Sequence, residues 1–134
     1  MTYILDTNIA IYAIKNRPET VIRRLEAALP DGLCISAITL AELRHGVENS
    51  ASPGKNEAAL LRILSLLQVL PFDDYAAIAY GSIRAGLQRA GTPIGPLDML
   101  FAAHALSAGL TLVTNNTREF SRVPGLRLEN WVEE

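Results

Sequence analysis

The sequence predicts an α/β protein, a three-layer α/β/α sandwich with a mostly parallel central sheet. Two observations carry that prediction. Short β-prone runs at Tyr3–Leu5, Leu33–Ile35, Thr111–Val113 and Leu126–Leu128 alternate with segments of helical periodicity, and such alternation builds parallel sheets covered on both faces. Turn residues punctuate the chain between those segments, at Pro30, Asp31, Gly32, at Gly91 to Pro96 and at Gly109. The 134 residues fit one domain, long enough to bury roughly two thirds of the surface of the unfolded chain. No internal repeat or low-complexity tract interrupts it.

Tyr3, Ile4 and Leu5 form the first strand, which runs directly into Asp6, Thr7 and Asn8, residues that cap helices and bind cations. Ile9, Ile11, Tyr12 and Ile14 follow a helical pattern up to Pro18. A second helix over Pro18–Leu29 opens with proline and Glu19 and carries Val21, Ile22, Leu25 and Leu29 at helical spacing. Leu33 to Ile35 is the second strand, passing through Ser36 into a helix over Ile38–Glu48. Residues 49–54 are small or helix-breaking and are expected to be the most mobile loop. An apolar helix over Asn56–Leu67 leads to the short run Val69–Phe72, and Asp73 opens a helix continuing to Arg89. Helical signal resumes at Asp98 and stops at Gly109. Thr111–Val113 is the next strand, residues 114–119 are polar, Leu126–Leu128 is the last strand, and the C-terminus from Trp131 to Glu134 reads as ragged.

Composition narrows the function. Hydrophobic content of 49% and a mean hydropathy of +0.19 describe an ordinary core, no apolar run reaches the ~20 residues that cross a bilayer, and no signal peptide opens the chain, so a cytosolic protein with no membrane role is expected. The lone Cys34 lies in an apolar run and reads as a buried small hydrophobe. A net charge of −2 and a pI near 5.7 argue against a large basic face that wraps nucleic acid nonspecifically. Ten of the 12 basic residues are arginines, the side chain best shaped for bidentate phosphate contact, so local patches remain available.

Three acids stand out. Asp6 ends a strand, where α/β folds place their ligand crevice, although capping the next helix would explain it equally well. Projected at about 100° per residue, Glu42 falls beside Ile38, Thr39 and Gly46, away from the polar side marked by Arg44 and Glu48. It is therefore no ordinary solvated charge and needs a partner, a salt bridge being the simple one. Asp98 stands at the mouth of a helix that is apolar nearly all round, approached through Pro96 and Leu97. Capping again competes with a ligand role. A polar cluster of Thr114, Asn115, Asn116, Thr117, Arg118 and Glu119 follows a strand and faces the same crevice, suited to water, substrate or outer-shell contacts if it is more than a loop.

Two carboxylates 4 Å apart repel by about 4 kcal/mol at an effective dielectric near 20. Converging acids must then share a proton or hold a hard divalent cation, Mg²⁺ or Mn²⁺, which prefers oxygen ligands and commonly bridges to phosphate. Such an ion suits hydrolysis of a phosphodiester. His45, one turn from Glu42, and His104, on the apolar helix, offer no rival mechanism. The sequence has no Gly-rich phosphate loop, zinc cysteine pair or nucleophile elbow.

The runs Tyr3 to Asn8, Ser36 to Gly46, and Gly95, Pro96, Leu97, Asp98 leading into Ala102 to Ala105 resemble PIN-domain ribonucleases. The ending Leu112 to Asn116, Arg118 to Phe120 and Val123 to Leu126 resembles their VapC toxin branch. The resemblance spans almost the whole chain in order. It implies a Mg²⁺- or Mn²⁺-dependent endoribonuclease, the toxin of a type II toxin–antitoxin pair, usually a homodimer silenced by a VapB antitoxin whose tail enters the acidic groove. By the same resemblance Asp6, Glu42 and Asp98 match the acidic core, with Asp6 and Asp98 the principal metal ligands. Thr7, Asn8 and Thr114 match its supporting polar residues. At Asn116 many relatives carry a fourth catalytic acid, for which Glu119 is the available substitute. Arg118 is expected near substrate, and tRNA is the first RNA to test. The competing reading is a non-catalytic RNA- or protein-binding module on the same fold. A phosphatase with a nucleophilic aspartate fits poorly, because Asn8 stands where a second aspartate belongs.

Overall fold

Five short strands pair in parallel in the computed structural model, which describes residues 1–133. They are β1 (Tyr3–Leu5), β2 (Leu33–Ser36), β3 (Gln68–Leu70), β4 (Thr111–Val113) and β5 (Leu128–Glu129), in the order β3-β2-β1-β4-β5. Ile4 of β1 lies between Cys34 of β2 and Leu112 of β4. The chain winds outward from β1 to β3, then returns to build β4 and β5 on the other side. The reversal falls between β1 and β4, so the crevice beyond their carboxyl ends is where a ligand site belongs.

The helices are α1 (Thr7–Lys15), α2 (Glu19–Ala28), α3 (Ala37–Glu48), α4 (Pro53–Leu64), α5 (Asp74–Ala90), α6 (Pro96–Ala108) and α7 (Thr117–Phe120). Side chains alternate across a strand, which divides the core in two. Leu5, Leu33, Ile35 and Val113 pack under α1 to α4 with Val21, Leu25, Leu43 and Leu60, while Ile4, Cys34 and Leu112 pack against Ile83 and Leu87 of α5, the face of α6, and Phe120. The three predicted layers are present. Burial pushes the Cys34 thiol up to about 11, so it remains an unreactive core group. Among the described residues no helix is long and apolar enough to cross a membrane.

Several elements differ from the sequence prediction. Helix α4 begins at Pro53 rather than Asn56 and ends at Leu64 rather than Leu67, so the connection after α3 shrinks to residues 49–52. Proline is the reason: read as a breaker, it occupies the first helical turn, where its missing N–H costs nothing. The run Val69–Phe72 yields an edge strand shifted one residue earlier, to Gln68. A 3₁₀ turn occupies Leu29–Asp31, and β5 lies at Leu128–Glu129 because a turn with Gly125 at φ +80° consumes the start of the run.

The C-terminal segment is not ragged. Trp131 is 1% exposed, meets Tyr3 edge-on at 5.3 Å between ring centroids, and donates from Nε1 to Glu129 Oε1 at 2.9 Å. Thr20 of α2 donates to the Val132 carbonyl at 3.1 Å, tying this segment to the α2 side. The sequence-based expectation for Glu134 lies outside the described residues. Trp131→Ala is expected to cost about 3–5 kcal/mol, as deletion of a buried aromatic does. Urea denaturation measures it, and a loss below about 1 kcal/mol would mean the segment is not part of the core.

Candidate active site

Asp6 leaves β1 with its N–H still bonded to the Val113 carbonyl at 3.1 Å, and its Oδ1 accepts from the Ile9 N–H at 2.9 Å. The capping explanation is therefore correct, yet it uses only part of the carboxylate. Asp6 is 7% exposed, and burial raises its pKa, opposed by the Thr114 hydroxyl and by the main-chain N–H groups of Ile9 and Asn8, with the Glu42 charge raising it further. Thr114 is fully buried, and its Oγ1 also accepts from the Asn116 N–H at 2.9 Å. One hydroxyl thus joins the ends of β1 and β4.

Glu42 is half-buried on α3, on the face the helical projection assigned to it. Its partner is a neutral hydroxyl rather than a cation: Thr7 Oγ1 donates to Glu42 Oε1 at 2.5 Å, the length of a charge-assisted bond, and lies 3.2 Å from the Thr39 hydroxyl. Thr39 is fully buried and was not singled out from sequence. It lies one turn before Glu42, and that spacing was the available signal.

Asp98 does not cap its helix. Helix α6 begins at Pro96 with Gly95 at the N-cap, so Asp98 sits inside the first turn, and a Cβ placed on Gly95 would lie 3.5 Å from its Oδ2. The helix dipole favours a negative charge there, but the carboxylate retains its lone pairs for the crevice. Its pKa is pushed up to about 6, first by burial, then by a shared hydrogen bond and charge repulsion with Glu119, then by the charges of Asp6 and Glu42. Asp98 therefore senses every other acid of the site. Asn116 Nδ2 donates to Glu119 Oε2 at 3.0 Å and stands 3.5 Å from Asp98 Oδ2, bracketing the pair.

The structure thus gathers Asp6, Thr7, Glu42, Asp98, Thr114, Asn116 and Glu119 around one crevice. Asn8 and Arg118 are exposed, Asn8 contributing its main-chain N–H to Asp6. Among the described residues no ion pair reaches any of the four acids; the pairs formed by Arg24 and Arg44 go to Glu129 and Glu57. Nor do three of the acids close into a ready coordination cage among the described residues. Their convergence is electrostatic, across a gap. His45 is exposed, whereas His104 is 3% exposed, packs edge-on against Phe72 at 5.5 Å and has its pKa lowered by burial, far from a proton-shuttling role.

Residues 3–126 match the family model of the PIN domain, a span that includes all four acids. The tRNA(fMet)-specific endonuclease VapC of Salmonella typhimurium is 49% identical over 131 residues, covering 98% of each chain. Ribonuclease VapC2 of Haemophilus influenzae is 46% identical over 132 residues, covering 98% of this chain and 99% of its own. The crystal structure of VapBC2 from Rickettsia felis, bound to a DNA fragment from its promoter, superposes with a TM-score of 0.92 at 41% identity, covering 98% of this chain and 99% of that one. In fold and in sequence over nearly its full length, the chain belongs to the PIN domain family, in its VapC branch.

Proposed function

We propose that this chain is an endoribonuclease toxin that hydrolyses phosphodiester bonds in RNA, tRNA first among its substrates, with Mg²⁺ or Mn²⁺ as cofactor. The observation that carries this reading is the position of Asp98, held in an oxygen-lined crevice where three other acids repel it and no cation among the described residues compensates. The donor set fits a hard divalent ion, its ligand groups being carboxylate and hydroxyl oxygens. The open spacing fits Mg²⁺, which keeps several waters and needs only one or two direct carboxylates.

Asp6 and Asp98 are the direct ligands in this reading. They project from the end of β1 and the first turn of α6, on either side of the crevice. When bound, the ion supplies positive charge against the developing phosphoryl charge and makes water more acidic. Glu42, locked by Thr7, and Glu119, locked by Asn116, then orient water and accept its proton. The repulsion that Glu119, Asp6 and Glu42 exert on Asp98 is what a bound cation would relieve.

The relatives support a VapB-like antitoxin as partner. A cavity of about 260 Å³ lined by Ile11, Ile14, Lys15, Leu43 and Leu60 reaches Glu42, so an apolar antitoxin segment seated there would lead its tail to the acids. A homodimer is supported by Tyr75 and Ile78, 74% and 71% exposed and one turn apart on α5. The test is incubation of the purified protein with total tRNA and with an mRNA of similar length, mapping new 5′ ends and measuring mass by light scattering. Cleavage at discrete tRNA positions by a two-chain species is expected. Absence of cleavage at millimolar Mn²⁺ would favour a binding module instead.

A further inference from the structure

We infer that Arg118, Arg122 and Arg89 form a phosphate-binding track that leads the RNA backbone into the acidic crevice, an assignment that rests on the ribonuclease reading above. The starting observation is an uneven charge distribution. Residues 75–127 contain five arginines, Arg84, Arg89, Arg118, Arg122 and Arg127, and two acids, Asp98 and Glu119, both in the crevice. Elsewhere Arg23, Arg24 and Arg44 pair with carboxylates, whereas among the described residues these five form no ion pair, and neither do Arg17 and Arg62. Arg84 donates to the Tyr80 hydroxyl, and Arg122 and Arg127 donate to main-chain carbonyls. An unpaired guanidinium is available to an external anion, and position relative to the crevice then decides which of them matter.

Geometry selects three of the five. Arg118 is exposed and immediately precedes Glu119 on α7, so its backbone is one residue from a side chain of the crevice. Arg122, about one helical turn further on, is anchored by a bond from Nη1 to the Pro93 carbonyl at 2.8 Å. Pro93 lies two residues before Gly95, the N-cap of the helix that carries Asp98. One anchored nitrogen leaves the rest of the fork available for a bidentate phosphate contact. Arg89, in the last turn of α5, shares with Arg122 the lining of a cavity of about 330 Å³, together with Ser82, Thr92 and Pro124. The floor of the cavity is apolar, with Ile83, Leu87 and Leu106, so the two guanidiniums and the Ser82 and Thr92 hydroxyls are the groups there that can bind a phosphate. Arg127 is excluded because it binds the Gly109 carbonyl at the far end of α6, about 16 Å from Asp98 at the rise of an α-helix.

The experiment is a salt series of steady-state cleavage on the RNA that the wild type cuts, for Arg89→Gln, Arg122→Gln, Arg122→Lys and Arg127→Gln. Each of the first two is expected to raise KM about tenfold with kcat within about threefold, and to flatten the dependence of log(kcat/KM) on log salt by about 0.7 to 1 per arginine removed. Arg122→Lys should restore the salt slope but only part of the KM, because it keeps the charge and loses the fork. Arg127→Gln should match wild type in both. Thermal melts confirm folding of each variant. If the wild type cuts RNA while Arg89→Gln and Arg122→Gln retain its KM and salt slope, or if Arg127→Gln changes them equally, the track is wrong though the nuclease reading stands. If the wild type cuts no RNA, both fall together.

Discussion

An Asp98→Asn protein is expected to lose at least about 10³-fold in the single-turnover rate of RNA cleavage while becoming more stable, not less. The substitution keeps the shape of the side chain and its place in the first turn of α6, and removes the charge that the other three acids oppose. The sign of the stability change follows from the pKa. In the folded protein Asp98 titrates at about 6 instead of the usual 3.8, so its stabilising contribution is full below 3.8 and is lost as pH rises through about 6. At pH 7.5 the ionised carboxylate is therefore a cost. Taken at face value the difference is worth about 3 kcal/mol, and solvent reaching this partly exposed group reduces it to about 1 kcal/mol. Urea denaturation in EDTA at pH 7.5 and at pH 5 measures both halves: the variant should exceed wild type at the higher pH, with the gap narrowing at the lower. Wild-type cleavage by Asp98→Asn, or a loss of stability at pH 7.5, would contradict the account of this residue.

Removing divalent ions should have an effect of similar size. EDTA is expected to lower cleavage by at least about 10³-fold, with Mn²⁺ or Mg²⁺ restoring it. The pH dependence carries the sharper test. A carboxylate must release its proton to become a ligand, so below about pH 6 ion binding competes with protonation of Asp98. At subsaturating Mn²⁺ activity should fall about tenfold per pH unit below about 6, and saturating Mn²⁺ should shift that fall to lower pH. Activity in EDTA equal to that in Mn²⁺ would remove the ion from the reaction.

Much of this was legible in the sequence because it depends on local signals that the tertiary structure did not overrule. Tyr3–Leu5, Leu33–Ile35 and Thr111–Val113 are strands because each is too short for a helix and lies between helix-capping or turn residues. Asp6 and Thr114 could be placed because the ends of parallel strands have one geometric meaning. Glu42 could be placed because a helix of 12 residues has a definable polar side. The part that was not legible involves short or terminal elements. Helix α7 has four residues, too few to show periodicity, so its folding of Glu119 back onto Asp98 had no signature beyond a polar cluster. Trp131 gave no periodic signal either, since its burial depends on Tyr3 at the other end of the chain. At Asp98 the sequence placed the residue at the start of the helix but not inside its first turn, because Pro96 looks the same as a breaker and as a first helical residue.

Every role assigned to the four acids follows from a divalent ion seated in the crevice between Asp6 and Asp98. Crystals of the protein soaked in millimolar Mn²⁺, with anomalous diffraction collected near the manganese edge, test this directly. The account predicts a single strong peak bounded by the Asp6 and Asp98 carboxylates, with Glu42 and Glu119 at direct or water-bridged distance, and absent in Asp98→Asn. A peak elsewhere with none in the crevice, or the same peak in the variant, would contradict it.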